Sequence, residues 1–98
     1  MLKVKRPPTP PGAILKQYYL DQRNLSVSRF AQATGLSRKH VSNIVHDRAA
    51  ISPETAVRFA EVLNTTPQFW LNLQNTADLH EAQRKLSRWR PPEVYAAE

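Results

Sequence analysis

The chain has no cysteine and only two glycines among its 98 residues. The absence of cysteine excludes a disulfide framework and thiolate chemistry, and it agrees with a reducing compartment. Two glycines are too few for a glycine-rich phosphate-binding loop. The three histidines lack the spacing of metal ligands, so we predict neither a metal site nor a cofactor. Since short helices give no sign of building a nucleophilic triad, we also predict that the protein is not an enzyme.

Long apolar runs are missing as well. No stretch approaches the roughly 18 consecutive apolar residues that suggest a membrane span. The opening MLKVKRPPTPPG has positive charges but no apolar run behind them, so it does not resemble a signal peptide. The sequence therefore predicts a cytoplasmic protein that does not associate with a membrane.

Positive charge is plentiful and unevenly distributed. The formal charge of +6 and the pI near 10.2 favour a polyanionic partner. Residues 23–48 hold five basic residues and one acidic residue, whereas residues 51–83 hold four acidic residues and one basic residue. We therefore expect the polyanion at the first segment. Two further basic clusters, in residues 3–6 and 84–90, are compatible with solvated tails, and their role stays open.

The length and the 41% hydrophobic content suit one globular domain with one modest core. Prolines cluster just before the first helical pattern and just after the last one. These positions divide the chain into an extended arm at residues 1–10, a folded domain at residues 11–88 and a tail at residues 89–98.

Apolar residues recur at helical spacing, and no window alternates as a strand would. The fold is therefore predicted to be all-α with five helices. Two pairs of residues spaced by four, Ile14 with Tyr18 and Leu15 with Tyr19, place the first helix at about residues 11–22.

The next two helices are short and closely joined. Ser26 has the position of an N-cap, and the helix that follows is predicted over residues 27–34. Gly35 supplies the left-handed residue at its end, and Ser37 caps the third helix. The narrow apolar stripe of that third helix consists of Val41 and Ile44. Two short helices joined by a glycine-containing turn form a helix-turn-helix.

The same start signal recurs further along the chain. Ser52 caps a fourth helix, Pro53 takes its first position and Asn64 allows a left-handed exit. The fourth helix is predicted to turn Ala56, Val57, Ala60 and Leu63 inward. A fifth helix is predicted from Pro67 to about Arg88.

The outward face of the third helix has the side chains that DNA recognition uses. An α-helix fits the major groove, arginine pairs with guanine and asparagine pairs with adenine. The positive end of the helix dipole would act in the same direction as its basic residues. The predicted DNA-binding residues are Ser37, Arg38, Lys39, His40, Ser42, Asn43 and Arg48. The alternative is an ordinary solvated helix face, in which Arg48 pairs with Asp47 or Glu54.

The fifth helix carries an apolar stripe that permits two interpretations. The stripe consists of Phe69, Trp70, Leu73 and Ala77. The usual meaning of such a stripe is a monomer core. The other interpretation is a homodimer contact, because a terminal helix of a small domain can be shared across a two-fold axis.

Several stretches also resemble the HigA family of antitoxins, within the xenobiotic-response-element class of helix-turn-helix repressors. They are PGAIL near the start, ISPETA before the fourth helix and FWLNLQ in the fifth, within residues 6–83. The resemblance implies a lambda-repressor-like fold and a homodimer that binds double-stranded operator DNA and represses its own operon. It also implies that the protein neutralises a HigB-like toxin, an mRNA-cleaving ribonuclease of the RelE type.

Two other functions remain compatible with the residues. One is a stand-alone helix-turn-helix repressor without a toxin partner. The other is a protein-interaction module whose basic helix never meets DNA. The acidic excess in residues 51–83 offers some surface for a basic ribonuclease, which favours the antitoxin.

Overall fold

The computed structural model describes residues 6–96. Within that range the chain is helical, with no strand, which confirms the predicted all-α fold. Helix α1 begins as an α-helix at Pro11–Ile14, continues as a π-helix at Leu15–Leu20 and ends in a 3-10 turn at Asp21–Arg23. The other helices are α2 at Val27–Thr34, α3 at Arg38–Val45, α4 at Pro53–Leu63 and α5 at Pro67–Lys85.

Side-chain caps fix the starts of helices α2 to α5. In each case the capping hydroxyl accepts a hydrogen bond from the backbone N–H three residues later. The caps are Ser26, Ser37, Ser52 and Thr66. Each satisfies an N–H group that the helix leaves without a partner, which typically stabilises it by about 1 kcal/mol. The predicted boundaries of α2 and α4 are confirmed because these signals are local.

Helix α1 differs from the prediction at its centre. In the π-helix the Asp21 N–H donates to the Lys16 carbonyl, five residues earlier, so residues five apart share a face. Leu15 and Leu20 are accordingly both fully buried. Tyr18 is 60% exposed. A spacing of four does not hold through a segment with a wider turn.

Aromatic side chains form the centre of the core. Phe59 packs between Phe30 and Trp70, with ring centroids 5.0 and 5.4 Å away, and all three residues are fully buried. Tyr19 adds an edge contact to Trp70 at 5.1 Å. The prediction that Val57 faces inward is wrong, because this residue is 50% exposed. The inward stripe of α4 runs through Phe59, and Val57 lies outside it.

Helix α5 extends beyond the core. It ends at Lys85 rather than near Arg88, and of the described residues after His80 only Ser87 is even partly buried. The Cα radius of gyration is 16.5 Å, against about 13 Å for a compact domain of this length. The carboxy-terminal part of α5 and the tail therefore stand clear of the core. Within residues 6–96 no helix is both long and apolar enough to cross a membrane.

Candidate nucleic-acid interface

The turn between α2 and α3 is held by hydrogen bonds on both sides. Gly35 has a φ of +73°, the left-handed conformation that glycine adopts without steric cost. The Leu36 N–H donates to the Ala31 carbonyl at 3.1 Å, which closes the end of α2. The buried Thr34 hydroxyl donates to the Phe30 carbonyl at 2.9 Å. The direction in which the chain enters α3 is therefore well defined.

Arg58 ties α4 to this turn. Its Nη1 donates to the Thr34 carbonyl at 2.7 Å, at the end of α2 where the helix dipole is negative. A Cβ on Gly35 would lie 2.9 Å from the same Nη1, so the turn and the guanidinium are in close contact. Glu54 lies on the other side, with its carboxylate 4.0 Å from Arg58 Nε. The sequence pattern shows Arg58 only as a charge and does not indicate this contact.

Helix α3 rests on α1 through backbone contact. Gly12 is buried, and a Cβ there would lie 1.9 Å from the Ile44 carbonyl oxygen and 2.9 Å from the Val45 Cα. Only a residue without a side chain lets the two helices approach this closely. Val41 and Ile44 are buried beside it, as predicted. The signal for Gly12 is its position in the PGAIL stretch, but the sequence does not show which backbone it meets.

The first turn of α3 presents its polar groups outward. Arg38 and Lys39 are exposed, and neither forms an ion pair within residues 6–96. The Ser37 hydroxyl accepts from the His40 N–H at 3.0 Å. Its own hydrogen remains available for an outside acceptor. Two cations and a hydroxyl donor thus share the positive end of the helix dipole.

The other predicted DNA-binding residues within α3 are less exposed to solvent. Ser42 and His40 are half-buried, and the Ser42 carbonyl is 2.8 Å from His46 Nδ1. Asn43 is also half-buried, and its carbonyl accepts from the Arg48 N–H at 2.7 Å. That hydrogen bond fixes the Arg48 backbone to the last turn of α3.

Arg48 itself is exposed and forms no ion pair in the described part of the chain. Glu54, one of the two partners considered for it, instead faces Arg58. The structure therefore brings the cations of the α3 segment to its surface, with Arg38 and Lys39 at one end and Arg48 at the other.

The acidic residues lie elsewhere. The carboxylates of α4 and α5 are exposed, in contrast to the cationic surface of α3. They are Glu54, Glu61, Asp78 and Glu81. Within residues 6–96 no three histidine or acidic side chains are grouped as a metal ion would require. The two faces thus offer opposite charge to partners.

The apolar stripe of α5 divides between core and surface. Trp70 is fully buried, and its Nε1–H donates to Thr65 Oγ1 at 2.8 Å. The core interpretation is thereby confirmed for Trp70, which has no surface to offer a second copy. Phe69, Leu73 and Ala77 are half-buried.

Comparison with known proteins also indicates a helix-turn-helix protein. A helix-turn-helix family model matches residues 15–70. A helix-turn-helix transcriptional regulator of Haemophilus influenzae is 42% identical over 80% of this chain and 73% of that protein. Antitoxin HigA-1 of Vibrio cholerae is 34% identical over 87% of this chain and 80% of its own length.

Solved structures extend the comparison to complexes with DNA. Antitoxin GraA in complex with its operator has a TM-score of 0.84 and 32% identity, covering 97% of this chain and all of that one. Pseudomonas aeruginosa antitoxin HigA with the higBA promoter has a TM-score of 0.83 and 30% identity, covering 91% of this chain and all of that one. The chain therefore belongs to the helix-turn-helix family, in the group that contains the HigA and GraA antitoxins.

Proposed function

We propose that the protein is an antitoxin that binds operator DNA as a homodimer, represses its own operon and neutralises a RelE-type toxin. The observation that carries DNA binding is the outward face of α3, where Arg38 and Lys39 are exposed and unpaired within the described chain. A cation without an internal partner is available for phosphate or guanine. The proposal places the protein in the cytoplasm with the chromosome.

The proposed contacts follow from the geometry of α3. Arg38 and Asn43 would contact base edges in the major groove, while Ser37, Lys39 and Arg48 would bind phosphates. His40, Ser42 and Asn43 are all half-buried, so each would reach DNA only with its outer atoms, and His40 and Ser42 are assigned to the edge of the interface. Base contacts require a helix that is held in a fixed orientation. The backbone contact at Gly12 and the hydrogen bond from Arg58 fix the orientation of α3 and so support this assignment.

A homodimer supplies the symmetry that operators commonly show. Phe69, Leu73 and Ala77 are half-buried in the single chain, so a second copy has apolar surface to cover. Trp70 supports that surface from within the core. A monomer in sedimentation experiments at micromolar concentration would contradict this part of the proposal.

Toxin neutralisation rests on the relatives and on charge. Several structural neighbours are antitoxins, and exposed carboxylates on α4 and α5 offer negative surface to a basic ribonuclease. The proposal assigns the toxin to the acidic residues of α4 and α5 and DNA to the outward face of α3, so the two partners would use different surfaces.

A second candidate is a stand-alone repressor. The relative at 42% identity and two regulators of Escherichia coli carry the name of transcriptional regulators rather than antitoxins. The α3 face serves either function equally.

Co-expression distinguishes the two. The chain would be expressed together with the product of any toxin-sized open reading frame that lies upstream of its gene, or alone as a control. We expect growth rescue and a stable complex. No toxicity of the upstream product, or no complex, would leave the stand-alone repressor. Promoter repression by the chain alone is common to both functions and is measured separately.

A further inference from the structure

Arg6, the last residue of the amino-terminal basic cluster, lies beside α5 shortly before the carboxy-terminal basic cluster begins. Arg6 and Pro8 line a cleft together with Leu79, His80 and Gln83. The chain segment before α1 therefore runs along α5 and brings Arg6 beside its last turns. In the sequence Arg6 is separated from α5 by most of the chain, and the fold brings it beside Gln83.

The cations at this end of α5 are mostly unpaired. Arg84 forms two hydrogen bonds to Glu81, at 2.6 and 3.0 Å, and this contact lowers the pKa of the Glu81 carboxyl. By contrast, Lys85, Arg88 and Arg90 form no ion pair within residues 6–96. The guanidinium of Arg90 donates only to nearby carbonyls. Positive charge therefore accumulates here beyond what Glu81 neutralises.

An aromatic side chain lies among these cations. Trp89 is 54% exposed and follows directly after Arg88 and before Arg90. Exposing a tryptophan to water is unfavourable, so a partner that covers it gains free energy. Arginines on both sides of an exposed indole suit a strand of nucleic acid, where phosphates bind the cations and a sugar or base packs on the ring.

We propose that Arg6, Lys85, Arg88, Trp89 and Arg90, the terminal basic patch, bind the phosphate backbone of DNA next to the sequence that α3 contacts. The inference rests on the proposed function for the identity of the polyanion. Phosphate contacts of this kind raise affinity without reading sequence.

The position of the patch fits that role. Asp47, which directly follows the last turn of α3, lines a second cleft together with His80 and Glu81 of α5. Lys85 lies one helical turn after Glu81, about 6 Å along the axis. Asp78 lines the same cleft. The patch therefore begins beyond a group of carboxylates near the end of α3, and the proposal places it on DNA backbone outside the site that α3 contacts.

The salt dependence of DNA binding tests the patch. In the triple variant Lys85→Gln, Arg88→Gln, Arg90→Gln, the slope of log affinity against log salt should fall by about 0.9 for each phosphate contact that the variant removes, up to about 2.7 per protomer. The ratio of operator to scrambled-DNA affinity should stay within about twofold, because these contacts read no sequence. Arg88→Gln alone is compared with Lys16→Gln, which removes one charge from a residue already paired with Asp21. Only Arg88→Gln should lower the slope.

Tryptophan fluorescence gives an independent measurement. The chain has two tryptophans, of which Trp70 is fully buried and Trp89 is exposed. Acrylamide quenching of the free protein therefore reports mainly on Trp89, and Trp89→Phe should remove most of it. Adding DNA should shield Trp89 in the natural chain but leave it accessible in the triple variant.

Three results would contradict the proposal that the terminal basic patch binds DNA. An unchanged salt slope in the triple variant is one, and a Trp89 that stays quenchable in the DNA complex is another. If Trp89 becomes less quenchable as the protein concentration rises in the absence of DNA, the surface is instead a contact with a second copy of the chain. If the natural chain binds operator and scrambled duplex equally, the proposed operator function fails. The salt slope and the shielding of Trp89, measured on either DNA, still decide whether the patch binds DNA. No binding to any DNA would overturn both.

Discussion

Arg58 on α4 and Thr34 at the end of α2 are joined by a hydrogen bond of 2.7 Å from a guanidinium nitrogen to a backbone carbonyl. The bond spans 24 residues of sequence and lies directly before the turn into α3. It satisfies a carbonyl that the helix end leaves without a partner, at the negative end of the dipole. One cation thus holds the second and fourth helices together beside the helix proposed to enter the major groove.

Replacing Arg58 by methionine should destabilise the fold by about 1–2 kcal/mol. Methionine keeps an unbranched chain but cannot donate to the Thr34 carbonyl. The expected effect is below the upper range for a charged hydrogen bond because the arginine side chain is 40% exposed. Chemical denaturation measures it. Glu54→Gln is the comparison variant, since it weakens the 4.0 Å ion pair and the favourable charge in the first turn of α4 but leaves the carbonyl contact. An equal effect of both variants would show that the ion pair, not the carbonyl contact, matters.

Replacing Gly12 by alanine should cost about 3 kcal/mol or more. The added Cβ would overlap the Ile44 carbonyl oxygen, and relief requires moving α1 away from α3. Gly35→Ala provides the comparison, because its strain comes from a left-handed φ and from the movable end of Arg58, and should cost only about 1–2 kcal/mol. Thermal unfolding of both variants tests whether Gly12→Ala is the more destabilising change. A Gly12→Ala protein as stable as the natural chain would mean that the two backbones are not in contact.

Replacing Thr65 by valine should destabilise the fold by about 1–3 kcal/mol. The change leaves the indole N–H of the buried Trp70 without its acceptor at 2.8 Å. Thr65→Ser keeps a hydroxyl and should retain most of the stability. Urea unfolding followed by circular dichroism compares the two. A Thr65→Val protein that is no less stable than Thr65→Ser would show that the hydrogen bond to Trp70 contributes little.

Replacing Arg38 or Asn43 by alanine should reduce operator discrimination while leaving toxin neutralisation intact. Each bidentate base contact corresponds to roughly 1–3 kcal/mol at that base pair, and a dimer makes it in both half-sites. Neither residue belongs to the buried Val41 and Ile44 stripe, so folding should change little. Gel shifts and growth rescue are measured on the same variants. A folded, dimeric Arg38→Ala protein that fails to rescue growth would place α3 in the toxin interface.

The parts of the structure that the sequence predicts well are those with local causes. The cap at Ser26, the cap at Ser37 and the left-handed Gly35 between them each act within a few residues. They therefore predict α2, the turn and the start of α3 correctly. The exposed pair of Arg38 and Lys39 follows from the same register, because the buried stripe of α3 leaves only one side for them.

The parts that the sequence does not predict depend on distant contacts. Nothing near Gly12 indicates that it meets the Ile44 carbonyl, and nothing near Arg58 indicates the end of α2. The π-helix in α1 changes the side-chain period, so that Leu15 and Leu20, five residues apart, are buried together. Such features arise from packing between elements, and the sequence pattern within one element does not contain them.

The central claim is that α3 reads DNA, and competition binding tests it most directly. The natural chain is titrated against duplex from its own promoter and against a scrambled duplex of equal length and composition, at one physiological salt concentration. We predict a preference of about 10³-fold or more for a palindromic promoter site with half-sites about 34–36 Å apart. Equal affinity for the two duplexes would contradict the claim.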